Sequence, residues 1–390
     1  MNQPLPGEPL PAVLVGGPPH SGKSVLIYSL SQALRARDVE HYALRACPDG
    51  EGDWSNEAPA ERVREIRFKG QWTPLWVERI SRDIQRRHLP LLVDVGGRPT
   101  TEQARMFDHC THAVLLTPDE PSRKAWQELV ARHRLPVLAD LTSSLEGENR
   151  LEASEPALRG ALVNLQRGAT ATGEAFTALV SQIAALFTAD GIDYRRRHLA
   201  SAPAEIELVV DLERLARTLG WAKAGEKIHW LPEHVPALLD YLPAATPLAV
   251  YGRGPVWIYA ALARLAWPAR FASFDVRLSW SAASALPTVD RPPAFPVRWM
   301  VQPVQDAVRI AATLPEHYID ISQLPEVAAP LAPAGAGVIL DGRLPVWLYA
   351  SLAQTYAAAS WLAVHQPALG GHVVVHSQDR RYPVGQLLAQ

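Results

Sequence analysis

Along the first half of the chain, short apolar runs alternate with stretches whose apolar residues recur every three or four positions. PAVLVGG (11–17), LPLLVDVGG (89–97), HAVLLTP (112–118) and LPVLADL (135–141) read as buried strands. Between them, SVLIYSLSQALRAR, PLWVERISRDIQRR and EPSRKAWQELVARHR carry helical periodicity. Apolar strands separated by amphipathic helices predict an α/β fold with a parallel sheet covered on both faces. A further helix around GEAFTALVSQIAALFTADG leads into a polar, proline-containing segment at 195–204, the expected domain boundary.

Beyond that segment the pattern repeats itself. GRGPVWIYAALA (252–263) and GRLPVWLYASLA (342–353) agree at nine of twelve positions, 90 residues apart. In each, a strand (LAVYG, VILDG) ends at Gly-Arg-x-Pro, a helix rich in small residues follows, and a second strand comes next (RFASF, WLAV). Two divergent copies of one small α/β domain explain this spacing, and two copies in one chain can stand where two subunits of a symmetric dimer would. The expected organisation is a domain at 1–200 followed by tandem copies at 205–295 and 296–390, forming a pseudo-dimer.

Composition narrows the picture. Hydrophobic residues at 48% and charged residues at 20% describe a globular chain. A net charge of −2 supplies no global basic field, so any nucleic-acid contact has to be local. Cys47 and Cys110 are the only cysteines, which fits a reducing cytoplasm and predicts no disulfide-linked partner. MNQPLPGEPLP has neither a basic nor an apolar leader region, so no signal peptide is expected. Arg264 and Arg270 interrupt the longest apolar candidate, so no membrane span is expected either.

Gly17-Pro18-Pro19-His20-Ser21-Gly22-Lys23-Ser24 matches the phosphate-loop pattern G-x-x-x-x-G-K-[ST], with a strand before it and a helix after it. Gly17 and Gly22 let backbone amides curl around phosphate oxygens, and the helix start adds a favourable dipole. Lys23 is expected to reach the outer phosphates and the Ser24 hydroxyl to sit on magnesium. Asp94 ends an apolar strand, where a carboxylate can join the magnesium shell, and Gly97 completes D-x-x-G. Asp140 is the alternative carboxylate. ATP or GTP with magnesium is the expected cofactor, and nothing in the sequence separates hydrolysis, transfer and binding alone.

The repeated phrase has its own chemistry. Gly252 and Gly342 permit a tight turn, and Pro255 and Pro345 suit a first helical turn because their missing N–H would be unpaired anyway. The amides at such a start can hold an anion, beside which Arg253 and Arg343 offer a fork suited to phosphate. A purely structural helix start is the competing reading. Trp257 and Trp347 are expected in the core, with base stacking as the alternative.

The order of hydrophobic strand, G-R-x-P-[VIL]-W-[LI], small-residue helix, D-P-R-L-like strand end and V-V-V-x-S-H strand resembles a family of small CRISPR-associated ring nucleases. Members cleave cyclic tetra-adenylate, the messenger of type III CRISPR defence. Some act on RNA 3′ ends with manganese, and some are fused to a P-loop NTPase domain. The resemblance is clearest over 337–388 and partial over 248–279. In the first copy Asp275 and Arg277 match the D-x-R element, but the valine strand is not recognisable in SWSAASALPT. In the second copy the strand 373–377 is present, while Gln366 and Ala368 replace the Asp and Arg. The family's catalytic histidine falls at Gln378 and its later carboxylate at Gln386; His376, on the same strand face as Gln378, is the substitute.

Three functions follow. One is a type III CRISPR ancillary enzyme that binds ATP and binds or processes cyclic oligoadenylate or RNA ends. Another is a catalytically degenerate sensor of the cyclic messenger that gates the NTPase. The third is a P-loop nucleotide or polynucleotide kinase. A homo-oligomer and a cytoplasmic location are also expected, and the resemblance implies manganese as a further metal.

Overall fold

The computed structural model describes residues 9–47, 72–223 and 226–389. It is a mixed α/β protein of two compact units, residues 1–197 with 276–278, and the remainder from His198 onward. The division falls inside the polar segment 195–204. Among the described residues no helix is long and apolar enough to cross a membrane, and both cysteines are buried. Residues 1–8, on which the leader reading partly rests, lie outside the described residues.

In the first unit, β1 (Ala12–Gly16) leads into α1 (Lys23–Ala36), β2 (Tyr42–Arg45), α2 (Pro74–Gln85), β3 (Leu91–Asp94) and a 3-10 helix (Gln103–His109). Then come β4 (His112–Thr117), α3 (Glu120–Arg132), β5 (Val137–Ser144), β6 (Arg150–Ala153), β7 (Leu158–Val163) and α4 (Glu174–Phe187), with α5 (Tyr194–Ala200) at the division. The seven strands lie in the order β2-β3-β1-β4-β5-β7-β6, all parallel except β6 against β7. Strand periodicity sorts the core. Val13 and Val15 join Leu26, Leu30 and Phe176 from α1 and α4 on one face. Ala12 and Leu14 join Trp76, Ile80, Phe107 and Trp126 on the other. The order reverses at β1, so the carboxyl ends of β1 and β3 open onto the crevice where α/β sheets bind ligands.

The second unit contains the two copies together. The first has β8 (Leu208–Asp211), α6 (Leu212–Thr218), α7 (His234–Tyr241), β9 (Leu248–Tyr251), α8 (Val256–Ala266), β10 (Phe271–Asp275) and β11 (Ser279–Ala283). Next come β12 (Thr288–Val289), β13 (Arg298–Val304), β14 (Ala307–Thr313) and β15 (Ala329–Pro330), with β12 and β15 pairing in parallel. The chain ends with β16 (Gly337–Gly342), α9 (Val346–Thr355), β17 (Trp361–Gln366), β18 (Gly371–Ser377) and β19 (Leu387–Ala389). The sheets are β8-β9-β10-β11 and β13-β14-β16-β17-β18-β19. Their centres match strand for strand: β8, β9 and β10 run parallel with β11 reversed, as do β14, β16 and β17 with β18 reversed. Ser279–Ala283 is therefore the structural counterpart of the valine strand. It went unrecognised because serine and alanine stand where the second copy has valine.

Helices α8 and α9 pack on each other, and each also covers strands of the opposite copy: α8 lies on β17 and β18, α9 on β10 and β11. Each copy thus completes the other's core, and Trp257 and Trp347 are both 1% exposed within it. The core reading of these tryptophans accounts for their burial.

The two glycines that open the repeated phrase are not equally constrained. Gly342 has φ 137°, and a Cβ there would come 2.3 Å from the Ala312 carbonyl oxygen. Gly252 has φ 104°, but its nearest neighbour would lie at 3.5 Å. Backbone strain alone costs on the order of 1–3 kcal/mol for a side chain in such a conformation. Gly252→Ala should lose about that much in urea unfolding, and Gly342→Ala distinctly more because backbone must also move.

Candidate functional site

The loop after β1 is shaped by contacts that leave no room for side chains. A Cβ on Gly17 would meet the Leu116 carbonyl oxygen at 2.1 Å, and one on Gly22 (φ 86°) would meet Leu165 Cβ at 2.5 Å. Gly22 also caps α1 without any side-chain hydrogen bond, so the first amides of that helix face the loop. From β5, the Ser143 hydroxyl donates to the Ser21 carbonyl at 2.8 Å and braces the loop from the neighbouring strand. Among the described residues the buried Ser21 hydroxyl has no hydrogen-bond partner.

Three charged groups meet at the foot of this loop. Lys23, 6% exposed, donates from Nζ to the Pro18 carbonyl at 2.6 Å. Ser24 Oγ donates to Asp94 Oδ2 at 3.0 Å, and the Gly96 amide donates to Asp94 Oδ1 at 3.1 Å. Arg45, at the end of β2, donates from Nη1 to Asp94 Oδ2 at 2.6 Å and to Ser24 Oγ at 2.9 Å. Strand register produces the grouping: Asp94 on β3 stands opposite Val15 on one side and Arg45 on the other. Gly97 sits against the loop as well, since a Cβ there would be 3.2 Å from Pro19 Cγ. Asp140, the alternative carboxylate, instead accepts from Gln127 at 2.8 Å and pairs with Arg123 at 3.2 Å, both on α3.

The sequence pointed to Gly17, Gly22, Lys23, Ser24, Asp94 and Gly97, and the structure brings all six together. It adds Arg45, which no motif marks; its only sequence signal is its place at the end of a strand. Arg45 and Lys23 thus both bring positive charge close to Asp94. The donor set is compatible with a polyphosphate and a hard divalent cation, for which Ser24 and Asp94 could supply oxygen ligands while Lys23 and the loop amides could meet the anion.

In the second unit, the two Gly-Arg turns share a device the sequence reading overlooked. Tyr259 donates its hydroxyl to the Gly252 carbonyl at 2.5 Å, and Tyr349 donates to Gly342 at 2.6 Å. Both tyrosines lie seven residues after the glycine and among the identical repeat positions, which was the available signal. Pro255 and Pro345 cap α8 and α9 in matching extended conformations. Burial first, then the Asp275 carboxylate, pushes the Tyr259 hydroxyl upward while Arg253 opposes, so Asp275 and Arg253 lie near one tyrosine. At Tyr349 burial and then Asp341 have the same effect. Arg253 is half-buried and Arg343 exposed. Arg277 lies in the turn 276–278, which groups with the first unit and not with Asp275.

His376 lies on β18, where burial and then Arg264 push its imidazole down to about 4. Arg264 comes from α8 of the other copy, with Nη2 at 3.2 Å from His376 Nε2 and 3.0 Å from the Ala357 carbonyl. A guanidinium only donates, so Nε2 accepts and the ring proton resides on Nδ1. That tautomer leaves no free basic nitrogen on the ring. A second pair was missed by sequence reading: His365 and His372 face each other across β17 and β18, Nδ1 to Nδ1 at 3.2 Å.

Comparison with known proteins bears on the second copy. A family described as "CRISPR-associated protein (Cas_csx3)" matches residues 312–389, from the end of β14 through β19. An uncharacterized protein of Aquifex aeolicus (strain VF5) is 32% identical over 100 residues, spanning 24% of this chain and 86% of that relative.

Lys23 gives the loop a pH signature. Burial, the largest cause, lowers its ammonium from 10.5 to about 8, against the opposing pull of Asp94. An anion binds the charged form, so affinity holds below the depressed value and falls above it. Between pH 7 and 9 the charged fraction drops from about nine-tenths to about one-tenth, so a fluorescent triphosphate should bind roughly tenfold more weakly at pH 9. A flat affinity across that range would exclude Lys23 as the charge that the ligand reads.

Proposed function

We propose, from the match of residues 312–389 to the CRISPR-associated Csx3 family, that this chain is a nucleotide-binding CRISPR ancillary protein. On this reading it holds ATP with magnesium at the loop 17–24 and an oligoadenylate, cyclic or with a free RNA end, at the paired Gly-Arg turns. The observation that carries the nucleotide part is the Ser24–Asp94 contact beside Lys23 at the point where strand order reverses. Lys23 and the loop amides would bind the phosphates, and Ser24 and Asp94 would hold the metal, which supplies charge neutralisation when bound.

For the second unit, holding a messenger is favoured over cutting it. Gln378 and Gln386 carry no group that titrates near neutral pH, and His376 presents Nε2 to a guanidinium. General acid–base work needs a group able to take up or release a proton near operating pH. A binding role needs only the anion-compatible turns, which both copies keep. The protein then acts as a sensor whose nucleotide turnover responds to the oligoadenylate. The kinase reading remains the competitor, because the loop serves transfer as well as hydrolysis.

Lys23→Ala should abolish ATP binding without shifting the melting temperature; unchanged affinity in a folded variant would exclude the loop as the site. Arg253→Ala and Arg343→Ala should each weaken cyclic tetra-adenylate binding by about ten- to a hundredfold, the worth of one charge-assisted contact. One indispensable and one irrelevant arginine would overturn a shared site.

The central experiment incubates the wild-type chain with cyclic tetra-adenylate and terminally labelled ATP, with and without magnesium or manganese, and separates the products. Intact cyclic ligand with altered ATP hydrolysis is the expected result. Linear product would establish ring cleavage, and label on an oligoadenylate or RNA would establish the kinase.

A further inference from the structure

Asp94 Oδ2 and Ser24 Oγ are the two oxygens on which a divalent cation would sit, and one guanidinium nitrogen of Arg45 already bonds both, at 2.6 and 2.9 Å. We propose that Arg45 is a surrogate cation for this site: it presents positive charge to a bound polyphosphate in place of the metal, and it competes with the metal for the same two oxygens. The inference rests on the nucleotide reading of the loop and adds a specificity residue to it.

Three features carry the assignment. Arg45 and Asp94 are register partners on adjacent parallel strands, so their backbones are fixed relative to each other and the contact is built into the sheet. The Asp94 side chain is 6% exposed and that of Arg45 21%, so the carboxylate is held out of water and its partner retains a path outward. A carboxylate buried this deeply demands a cation, and losing one without replacement is costly. A guanidinium and a divalent cation cannot share the two oxygens, because like charges at contact distance repel strongly. Metal and Arg45 therefore alternate. Polyphosphate without metal meets Arg45 at this position, whereas the metal complex releases the side chain toward solvent.

The consequence is a dependence of the Arg45 effect on metal, which a purely structural arginine would not show. Binding of a fluorescent ATP analogue is measured for the wild type, Arg45→Gln and Arg45→Lys, each in chelator and in millimolar magnesium. Melting temperatures are recorded in parallel. In chelator, Arg45→Gln should bind about tenfold more weakly or worse, and Arg45→Lys, which keeps the charge, should recover most of that loss. In magnesium, the metal takes over, and Arg45→Gln should fall within about threefold of the wild type. Magnesium thus strengthens ATP binding more in Arg45→Gln than in the wild type. Equal losses with and without metal, or no loss in either, overturn the surrogate role while leaving the nucleotide site standing. If Arg45→Gln fails to fold, the Lys variant decides: wild-type affinity in chelator supports the proposal, and a large loss there overturns it. Absence of ATP binding by the wild type in both conditions overturns the nucleotide reading and this inference with it.

Discussion

Asp94 ends a strand inside a sheet, 4% exposed, and the first unit is arranged around the need to match that carboxylate. Hydrogen bonds come from the Gly96 amide and the Ser24 hydroxyl, and positive charge from Arg45 and Lys23. The four partners arrive on three elements: Arg45 on β2, Lys23 and Ser24 in the first turn of α1, and Gly96 in the turn after β3. The strand order β2-β3-β1 is what lets them converge. Had β3 been placed at the sheet edge, the same motif residues would have been too far apart to act on one ligand.

The second unit obeys a different constraint, the reciprocal cover of its two copies. Since α8 lies on the second copy's strands and α9 on the first copy's, neither copy has a complete core alone. This explains which residues survive in both. The glycine with positive φ, the helix-capping proline, the buried tryptophan and the tyrosine that bonds back to the glycine carbonyl all serve the turn and its packing. Arg253 and Arg343 survive as well without such a duty, whereas other positions have diverged. Asp275 has its match in Gln366, and the valines of β18 have theirs in the serines and alanines of β11. Arg264 of one copy against His376 of the other shows that divergence can also be complementary.

Much of the first unit was legible because its signals are local. Apolar runs of strand length, helical periodicity between them and a complete phosphate-loop pattern depend on neighbours in sequence, and β1, β3, β4 and β5 emerged where those runs lie. The repeated phrase was equally plain, since identity at a fixed spacing needs no structure to be read. The sequence by itself thus determined the α/β character, the loop, the doubling, and which carboxylates could serve. Tertiary structure alone set their surroundings: α3 engages Asp140, while register sets Asp94 beside Ser24. It also placed Arg45, paired His365 with His372, and turned α8 and α9 onto each other's strands. These are contacts between residues far apart in the chain, and their partners are chosen by strand order and register, which one-dimensional periodicity does not encode.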